Sequence, residues 1–521
     1  MCKVRILDCT LRDGGYCNGW VFEKRNIDKI VDALLKSKVD LIEYGYWDST
    51  SSPNIDSTRF ASLEDTPAQM KSNGLLMINF GEVRIDEIPG DQKKLWGLRV
   101  VFHKKDKKEA LLFCQQLKER GYRVFVQPMV TNGYSEEEFC RMLAEVNGIL
   151  PHAFYIVDSF GSMQDVDVRR YVQMADERLH SEICIGFHGH DNSKLAFFNA
   201  ITAMDACKGH MIYIDSTIMG MGRGAGNLGT ENLMEYFNRH GNHGYQIDPV
   251  LKVIDEVIYH FYADGAWGYS LPFYLAARHN CHPNYARYLD NRKTLTFTGI
   301  NKIFETIPLS KRVSFDKDYI EMVYYEYMKY EGTDCFNKDL WNREIEGRNV
   351  LLLAPGRTIL QYKKEIQELI DKESPLVISV NFEFREIKAD YVFISNQRRY
   401  CQWMEERKKN HAKLLVTSNI SAEDPYLKID YSSLLSGDAF ISDNAGLMVI
   451  RFLIQCGVDH VALTGFDGYQ YDEHLNYVDQ KMKMETVKDQ KQRMNELIRK
   501  EMKDMAGQIE IRSLTPSLYF D

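Results

Sequence analysis

Eight short runs of apolar, β-forming residues recur through the N-terminal half of the chain, and this alternation constrains its fold more than any single motif. The runs lie at residues 3–10, 41–46 (LIEYGY), 75–80 (LLMINF), 98–103 (LRVVFH), 123–129 (RVFVQPM), 153–159 (AFYIVDS), 182–190 and 211–218 (MIYIDSTI). Amphipathic helical stretches at 27–38, 107–120, 135–146 and 195–207 fall between them. Strands apolar on both faces are those of a parallel sheet covered by helices. Eight of them predict a closed (β/α)8 barrel, with a doubly wound open sheet as the runner-up. The polar residues favour the barrel, because Arg12, Asp13, Glu43, Asn79, His103, Gln127, Asp158, His188, His190 and Asp215 collect towards the C-terminal ends of their runs. Active sites of this architecture occupy that face.

Two places on the face carry the chemistry. In Phe187-His188-Gly189-His190-Asp191-Asn192, residues i and i+2 of a strand point the same way, so His188 and His190 form a ready pair of metal ligands. At the N-terminus a strand runs into Leu11-Arg12-Asp13-Gly14-Gly15-Tyr16-Cys17-Asn18-Gly19, where glycines permit a tight turn and charges stand at a strand end. Either feature alone has a plain structural explanation, a pair of incidental histidines or a salt-bridged turn. Their coincidence on one face does not.

The motifs LDCTLRDGG, IEYGY, VDSFGS, FHGHDN and GMGRGAGNLGTENL, in this order over about residues 1–330, resemble those of the DRE-TIM metallolyases. That superfamily includes 4-hydroxy-2-oxovalerate aldolase, 3-hydroxy-3-methylglutaryl-CoA lyase and the isopropylmalate and homocitrate synthases, and the aldolase branch fits best. The resemblance implies Asp13, His188, His190 and Asn227 as metal ligands, Arg12 as the oxyanion partner and Glu43 as the residue that orients it. A divalent ion held by one carboxylate, two imidazoles and an amide oxygen keeps positions open for a 2-oxo acid and stabilises a pyruvate-type enolate as a Lewis acid. Mg2+ and Mn2+ are the leading expectations, with Co2+ and Zn2+ as alternatives. Arginine keeps its proton and suits the developing oxyanion.

Two departures from the family matter. A histidine just after the Arg-Asp-Gly segment serves the aldolase branch as base, and here that position is Tyr16. The base is therefore open among Tyr16, a water, His282 and Tyr285. The lyase branch carries a cysteine in its glycine-rich loop, and residues 219–227 (MGMGRGAGN) have none, which argues against thioester lyase chemistry.

At 521 residues the chain exceeds one core, and a net charge of −9 argues against general nucleic-acid binding. No apolar run is long enough to span a bilayer, no leader is read at residues 1–5, and the 11 cysteines lack C-x-x-C spacing. A cytoplasmic protein with free thiols is expected. Residues 1–247 are expected to form the barrel, 248–330 a helical extension and 331–348 a polar linker; the resemblance to the aldolase branch implies that the helical extension covers the barrel and supplies homo-oligomer contacts.

From 349 to 521 a second α/β pattern predicts a Rossmann-like domain. Its strands are expected at 350–353, 376–381, 391–395, 413–418, 439–442 and 460–464, and its helices at 359–371 and 445–455. The turn Ala354-Pro355-Gly356-Arg357-Thr358 could set a phosphate at a helix N-terminus, with Gly356 and Thr358 as cofactor-binding residues. The absence of G-x-G-x-x-G and of a P-loop argues against nicotinamide and ordinary ATP use. The pieces LLLAPGRTI, SDNAGLMVIRFLIQCGVDHVALTGFDGY and SLTPS resemble the Rossmann-like domains of bacterial sialyltransferases. That resemblance implies a nucleotide or nucleotide sugar near 443–446 and 465–469, with His474 in a following loop.

The expected activity is a divalent-metal-dependent aldolase that forms or cleaves a 4-hydroxy-2-oxo acid from a 2-oxo acid and an aldehyde. The alternatives are a Claisen-type synthase joining an acyl-CoA to a 2-oxo acid, and a scaffold barrel without catalysis.

Overall fold

The eight apolar runs become eight parallel strands: β1 (Val4–Asp8), β2 (Leu41–Trp47), β3 (Gly74–Asn79), β4 (Gly97–Phe102), β5 (Val124–Pro128), β6 (Ala153–Asp158), β7 (Cys184–Gly189) and β8 (Ile212–Ser216). Each pairs with the next, and β1 pairs with both β2 and β8, so the barrel closes without an edge. A two-residue strand, Arg59–Phe60, adds to the end of β2. This computed structural model describes residues 3–520 except 68–69, 71, 91–94, 242–243, 293, 329–337, 406–411, 424, 439, 471–475, 480–481 and 483–487.

Helices Lys24–Lys36, Lys107–Glu119, Glu136–Ile149, Asp165–Arg178, Ala196–Ala206 and Thr230–Gly241 follow six of the strands. The crossovers after β2 and β3 use short 3-10 turns instead, at Leu63–Asp65 and Ile85–Glu87. The outward side chains of the strands and the inner faces of the helices make one large apolar core. Inside the barrel the lower layers are apolar and aromatic, with Leu7, Leu41, Leu75, Phe125, Tyr155 and Tyr213. A Cβ on Gly186 would lie 2.3 Å from the Tyr155 ring, so β7 needs glycine there to admit the tyrosine. Above these layers the interior turns ionic.

The chain divides into two compact units, Met1–Arg287 with Phe304–Phe315, and Tyr288–Ile303 with Asp316–Asp521. Of the helices between 248 and 330, Leu271–Arg278 lies in the first unit and Lys317–Met328 in the second. The described part of the segment expected as a linker contains a helix, Lys338–Ile345. The second unit holds a seven-stranded parallel sheet of β9 (Val350–Leu353), β10 (Leu376–Val380), β11 (Tyr391–Ile394), β12 (Lys413–Thr417), β13 (Leu427–Ile429), β14 (His460–Thr464) and β15 (Glu510–Ser513). Its order is β13-β12-β11-β10-β9-β14-β15, with the reversal at β9 and β14.

Three details of the second unit differ from expectation. The described residues of 439–442 form a turn, with position 439 outside the described residues, while β13 and β15 were not anticipated. The helix expected at 359–371 is two helices, Thr358–Gln361 and Lys363–Glu373, broken at Tyr362. His474 lies outside the described residues. Among the described residues no helix is long and apolar enough to cross a membrane, and the cysteines are free.

Candidate metal centre and active site

β1 delivers the chain into a one-turn helix, Thr10–Asp13, that carries Arg12 and Asp13 into the barrel mouth. The turn is held from several sides. The Thr10 N–H donates to Asp8 Oδ1 at 2.9 Å, and the Thr230 hydroxyl donates to Asp8 Oδ2 at 2.6 Å. The Ile218 N–H donates to Thr10 Oγ1 at 2.8 Å, and the Trp20 indole N–H to the Arg12 carbonyl at 2.8 Å. A Cβ on Gly15 would lie 2.1 Å from the Trp20 ring, so glycine is what lets the indole cover this turn. Burial raises the Asp8 carboxyl to about 6 against these hydrogen bonds.

Six ionisable side chains from five parts of the barrel close a ring. Arg12 Nε pairs with Glu43 Oε2 at 2.8 Å, and Glu43 Oε1 with Arg99 Nε at 3.0 Å. Arg99 NH1 pairs with Asp215 Oδ2 at 2.5 Å, and the Nδ1–H of His188 donates to the same oxygen at 3.0 Å. His188 Nε2 stands 3.4 Å from Asp13 Oδ2, and Asp13 Oδ1 stands 3.1 Å from Arg12 NH1, completing the circuit. None of the six is more than 4 % exposed. Gln127 Oε1 accepts from Arg99 NH1 at 2.8 Å, and the Arg99 guanidinium lies 4.3 Å from the centre of the Tyr155 ring.

The ring fixes charge states. Burial opposes ionisation of Asp13, but Arg12 and the two imidazoles hold its carboxyl well below the usual carboxylate range. Burial likewise opposes ionisation of Asp215, yet Arg99 and His188 bring it down to about 2. Its partner Arg99 is pushed up despite burial. His188 is raised from its ordinary value because the nearby carboxylates of Asp13 and Asp215 outweigh burial. His190 is lowered to about 3, chiefly by burial, so its ring is neutral and offers a lone pair.

Asn227 reaches the same place by a backbone bridge to His190, and its amide nitrogen donates to the Met221 carbonyl at 3.3 Å. Asn192 ties the loops together, accepting from the Ala225 N–H at 2.8 Å and donating to the Phe160 carbonyl at 2.9 Å. Among the described residues, both Asp13 oxygens, Asn227 Oδ1 and His190 Nδ1 are buried without a hydrogen-bond partner. In the neutral form that a metal-bound His188 would take, the ring's three carboxylates outnumber its two guanidiniums, and a cation would replace the charge His188 otherwise carries. Surplus negative charge beside unanswered lone pairs of one carboxylate, an imidazole and an amide is the donor set of a divalent cation. Cys9 lies within reach of Asp13 and His188, but its thiol donates to the Ser216 carbonyl at 3.4 Å, and burial pushes its pKa well above the ordinary value. The oxygen and nitrogen donors fit a metal better than this protonated thiol does.

The structure sorts the candidates for a base. Tyr16 is half-buried at the mouth, its hydroxyl 3.4 Å from that of Tyr46 and its ring against Trp20. Tyr285 is buried elsewhere, its hydroxyl donating to the Lys311 and Ser314 carbonyls at 2.8 Å each, so it is no candidate. His282 lies with its Nε2 3.3 Å from Arg223 NH1, and burial with surrounding basic groups lowers its pKa to about 2, too low for a base near neutrality.

The turn after β9 is closed by a side chain from the loop after β14. The Thr358 N–H donates to Asp467 Oδ2 at 2.8 Å, and the Thr358 hydroxyl donates to Asp467 Oδ1. A Cβ on Gly356 would lie 2.2 Å from the Gly465 carbonyl, so this glycine serves the approach of two loops. The groups a phosphate would use are held by a carboxylate of the chain itself, and the helix they open is only four residues long. Gly356 and Thr358 therefore form a strand-to-helix connection closed by Asp467.

Arg99, Asp215 and Asn192 are the residues whose roles the sequence reading missed. The signal was an arginine and an aspartate at inward positions of strands that are otherwise apolar.

Comparison with known proteins follows the same outline. An HMGL-like family model matches residues 102–256. The chain is 30% identical over 266 residues to a protein named 4-hydroxy-2-oxovalerate aldolase from Thermomicrobium roseum, covering 49% of this chain and 72% of that one. It is 24% identical over 244 residues to one named oxaloacetate decarboxylase from Mycobacterium tuberculosis, covering 46% and 70%. A crystal structure of the N-terminal domain of a putative aldolase from Bacteroides vulgatus superposes with a TM-score of 0.50 at 26% identity, covering 57% of this chain and 99% of that domain.

Proposed function

The chain belongs to the HMGL-like, DRE-TIM superfamily of metal-dependent carbon–carbon lyases, and we propose that its barrel cleaves or forms the C3–C4 bond of a 4-hydroxy-2-oxo acid. The observation that carries this reading is the buried ring through Asp13 and His188, with His190 and Asn227 beside it, in which polar atoms of Asp13, His190 and Asn227 have no hydrogen-bond partner among the described residues. Asp13, His188, His190 and Asn227 would hold a divalent cation, which would supply Lewis acidity for the oxyanion that develops on the 2-oxo acid.

The chain's own groups do the rest. Arg12 is locked between Glu43 and Asp13, and its NH2 is buried without a partner among the described residues. It donates a hydrogen bond to the 2-oxo oxygen as that oxygen gains charge, and its fixed rotamer means little reorganisation at the moment of reaction. Asp215 holds the His188 Nδ1–H, leaving Nε2 directed at Asp13. In the cleavage direction the 4-hydroxyl loses its proton, the C3–C4 bond breaks and the aldehyde leaves. The electron pair moves onto the 2-oxo oxygen, and protonation at C3 then gives a pyruvate-type product. In this reading Tyr16, in the one-turn helix Gly15–Asn18 after Asp13, relays the 4-hydroxyl proton to solvent, and solvent supplies the proton at C3.

The relatives named for an aldolase and for a decarboxylase act on different compounds, but both reactions leave an enolate when the C3–C4 bond, one carbon removed from the 2-oxo group, breaks. The test is to incubate the Mg2+- or Mn2+-loaded chain with 4-hydroxy-2-oxo acids of different chain length and follow release of pyruvate by a coupled reduction. Release that stops with a chelator supports the reading, and no release across the series refutes it.

A further inference from the structure

Arg223 lies in the glycine-rich loop between β8 and the helix Thr230–Gly241, and the mechanism above does not use it. Its guanidinium sits over the Tyr16 ring, 5.2 Å from the centroid, and its NH1 is 3.3 Å from Nε2 of His282. Its Nε is buried with no partner among the described residues. None of these contacts is with a carboxylate. Arg12 and Arg99, by contrast, are each bound to two.

Neither neutral tautomer of His282 satisfies both Arg223 and Asn284. His282 Nδ1 accepts from the Asn284 N–H at 3.2 Å, which puts the ring proton of a neutral imidazole on Nε2. That N–H then meets an N–H of Arg223, two donors with no acceptor between them. Moving the proton to Nδ1 frees Nε2 to accept from Arg223, but sets an N–H against that of Asn284. Protonating both nitrogens is worse, because the charges that act most on His282, those of Arg223, His103, His190 and Arg287, are all basic. An oxygen acceptor bearing negative charge resolves the conflict. It takes the His282 Nε2–H and the free donors of Arg223 together, as a charge-assisted pair of the kind arginine makes with carboxylate and phosphate.

We propose that Arg223 and His282 hold an anionic group, a carboxylate or a phosphoryl, on the aldehyde half of the substrate. This rests on the reading of the barrel as a lyase of 4-hydroxy-2-oxo acids. The location fits that half. Arg223 covers Tyr16, which follows Asp13 in the mouth, and it is in the same loop as Asn227. Arg12 already serves the 2-oxo end, so Arg223 is a specificity-determining residue at the opposite end. The substrate class is thereby narrowed to 4-hydroxy-2-oxo acids with a second anionic terminus.

The experiment has a binding arm and a kinetic arm, both on the full chain with Mg2+. Calorimetry measures butyrate and inorganic phosphate against the parent protein, Arg223→Gln and His282→Phe, with circular dichroism checking that each variant folds. Kinetics compare addition of pyruvate to succinic semialdehyde, glyceraldehyde 3-phosphate and neutral butanal. The parent should bind one probe, and Arg223→Gln should weaken it roughly tenfold to a hundredfold, the range for a hydrogen bond to a charged group. The preference in kcat/KM for the matching charged aldehyde over butanal should fall by a similar factor, through KM, with Arg223→Lys recovering part of it. Butyrate as the bound probe identifies a carboxylate, and phosphate a phosphoryl group. The proposal is overturned if the parent binds neither probe at about 10 mM, a concentration at which even a weak ion contact is occupied, or if Arg223→Gln binds it equally well. Loss of all aldol addition, with charged and neutral aldehydes alike, would instead remove the lyase reading, and the titration would still decide whether an anion binds.

Discussion

Replacing Arg99 with methionine tests the ionic ring where it is deepest. The guanidinium is fully buried, bridges Glu43 and Asp215, and lies against Tyr155. Its loss does not strand either carboxylate completely, because Glu43 keeps Arg12 at 2.8 Å and Asp215 keeps His188 at 3.0 Å. The cost should therefore be that of one broken buried pair, about 3–5 kcal/mol, with the lost contact to the Tyr155 face adding about 1 kcal/mol. For a unit of this size that corresponds to a fall in melting temperature of roughly 10 °C. Calorimetric melting of the full chain reads it directly. The triple variant Arg99→Met, Glu43→Gln, Asp215→Asn should recover much of the loss, since it leaves no buried charge unpaired and the three sites are coupled. A single variant that loses less than about 1 kcal/mol would show that these carboxylates are solvated or protonated, and the argument that the ring fixes Arg12 and His188 would fail with it.

Arg12→Lys should lower kcat by on the order of 10²-fold or more with a smaller change in KM, because the donor acts where charge develops; steady-state pyruvate release checks this, and near-normal turnover would assign the role to another cation. His188→Ala should abolish stoichiometric metal as measured by elemental analysis after dialysis, and full metal content would remove that residue from the ligand set. His152, packed against the Trp96 and Phe125 rings, is lowered by burial to about 4. Unfolded, it takes up a proton near its ordinary value of about 6.5, so stability should fall as pH drops from about 7 to about 4, by up to about 3 kcal/mol. His152→Phe should remove that part of the acid sensitivity in urea titrations at pH 7 and pH 4.5, and an unchanged difference between the two would contradict the assignment.

The barrel was legible because a strand buried on both faces must be apolar along its length, and eight such runs leave few alternatives. Asp13, His188 and His190 were legible because they stand at strand ends, where little but function requires charge. Arg99 was not, since its meaning depends on partners 56 and 116 residues distant, Glu43 and Asp215, that only barrel closure brings together. Arg223 reads in sequence as one residue of a flexible loop, and its conflict with His282 exists only once the helices near the barrel mouth are placed. In the second unit β15, Glu510–Ser513, is an edge strand with no fully buried residue, so it carries no apolar run to reveal it. At Gly356 and Thr358 the strand-to-helix connection was legible but its closing carboxylate was not, because Asp467 is 109 residues away from Thr358.

The most direct test of a metal-dependent lyase acting through a pyruvate-type enolate needs no knowledge of the aldehyde. The chain loaded with Mg2+ or Mn2+ is incubated with pyruvate in D2O, and the methyl signal is followed by proton NMR with and without a chelator. The account predicts loss of the methyl signal that depends on the metal and is abolished in Asp13→Asn. A methyl signal that persists in the metal-loaded protein, or that decays equally with the chelator present, would contradict it.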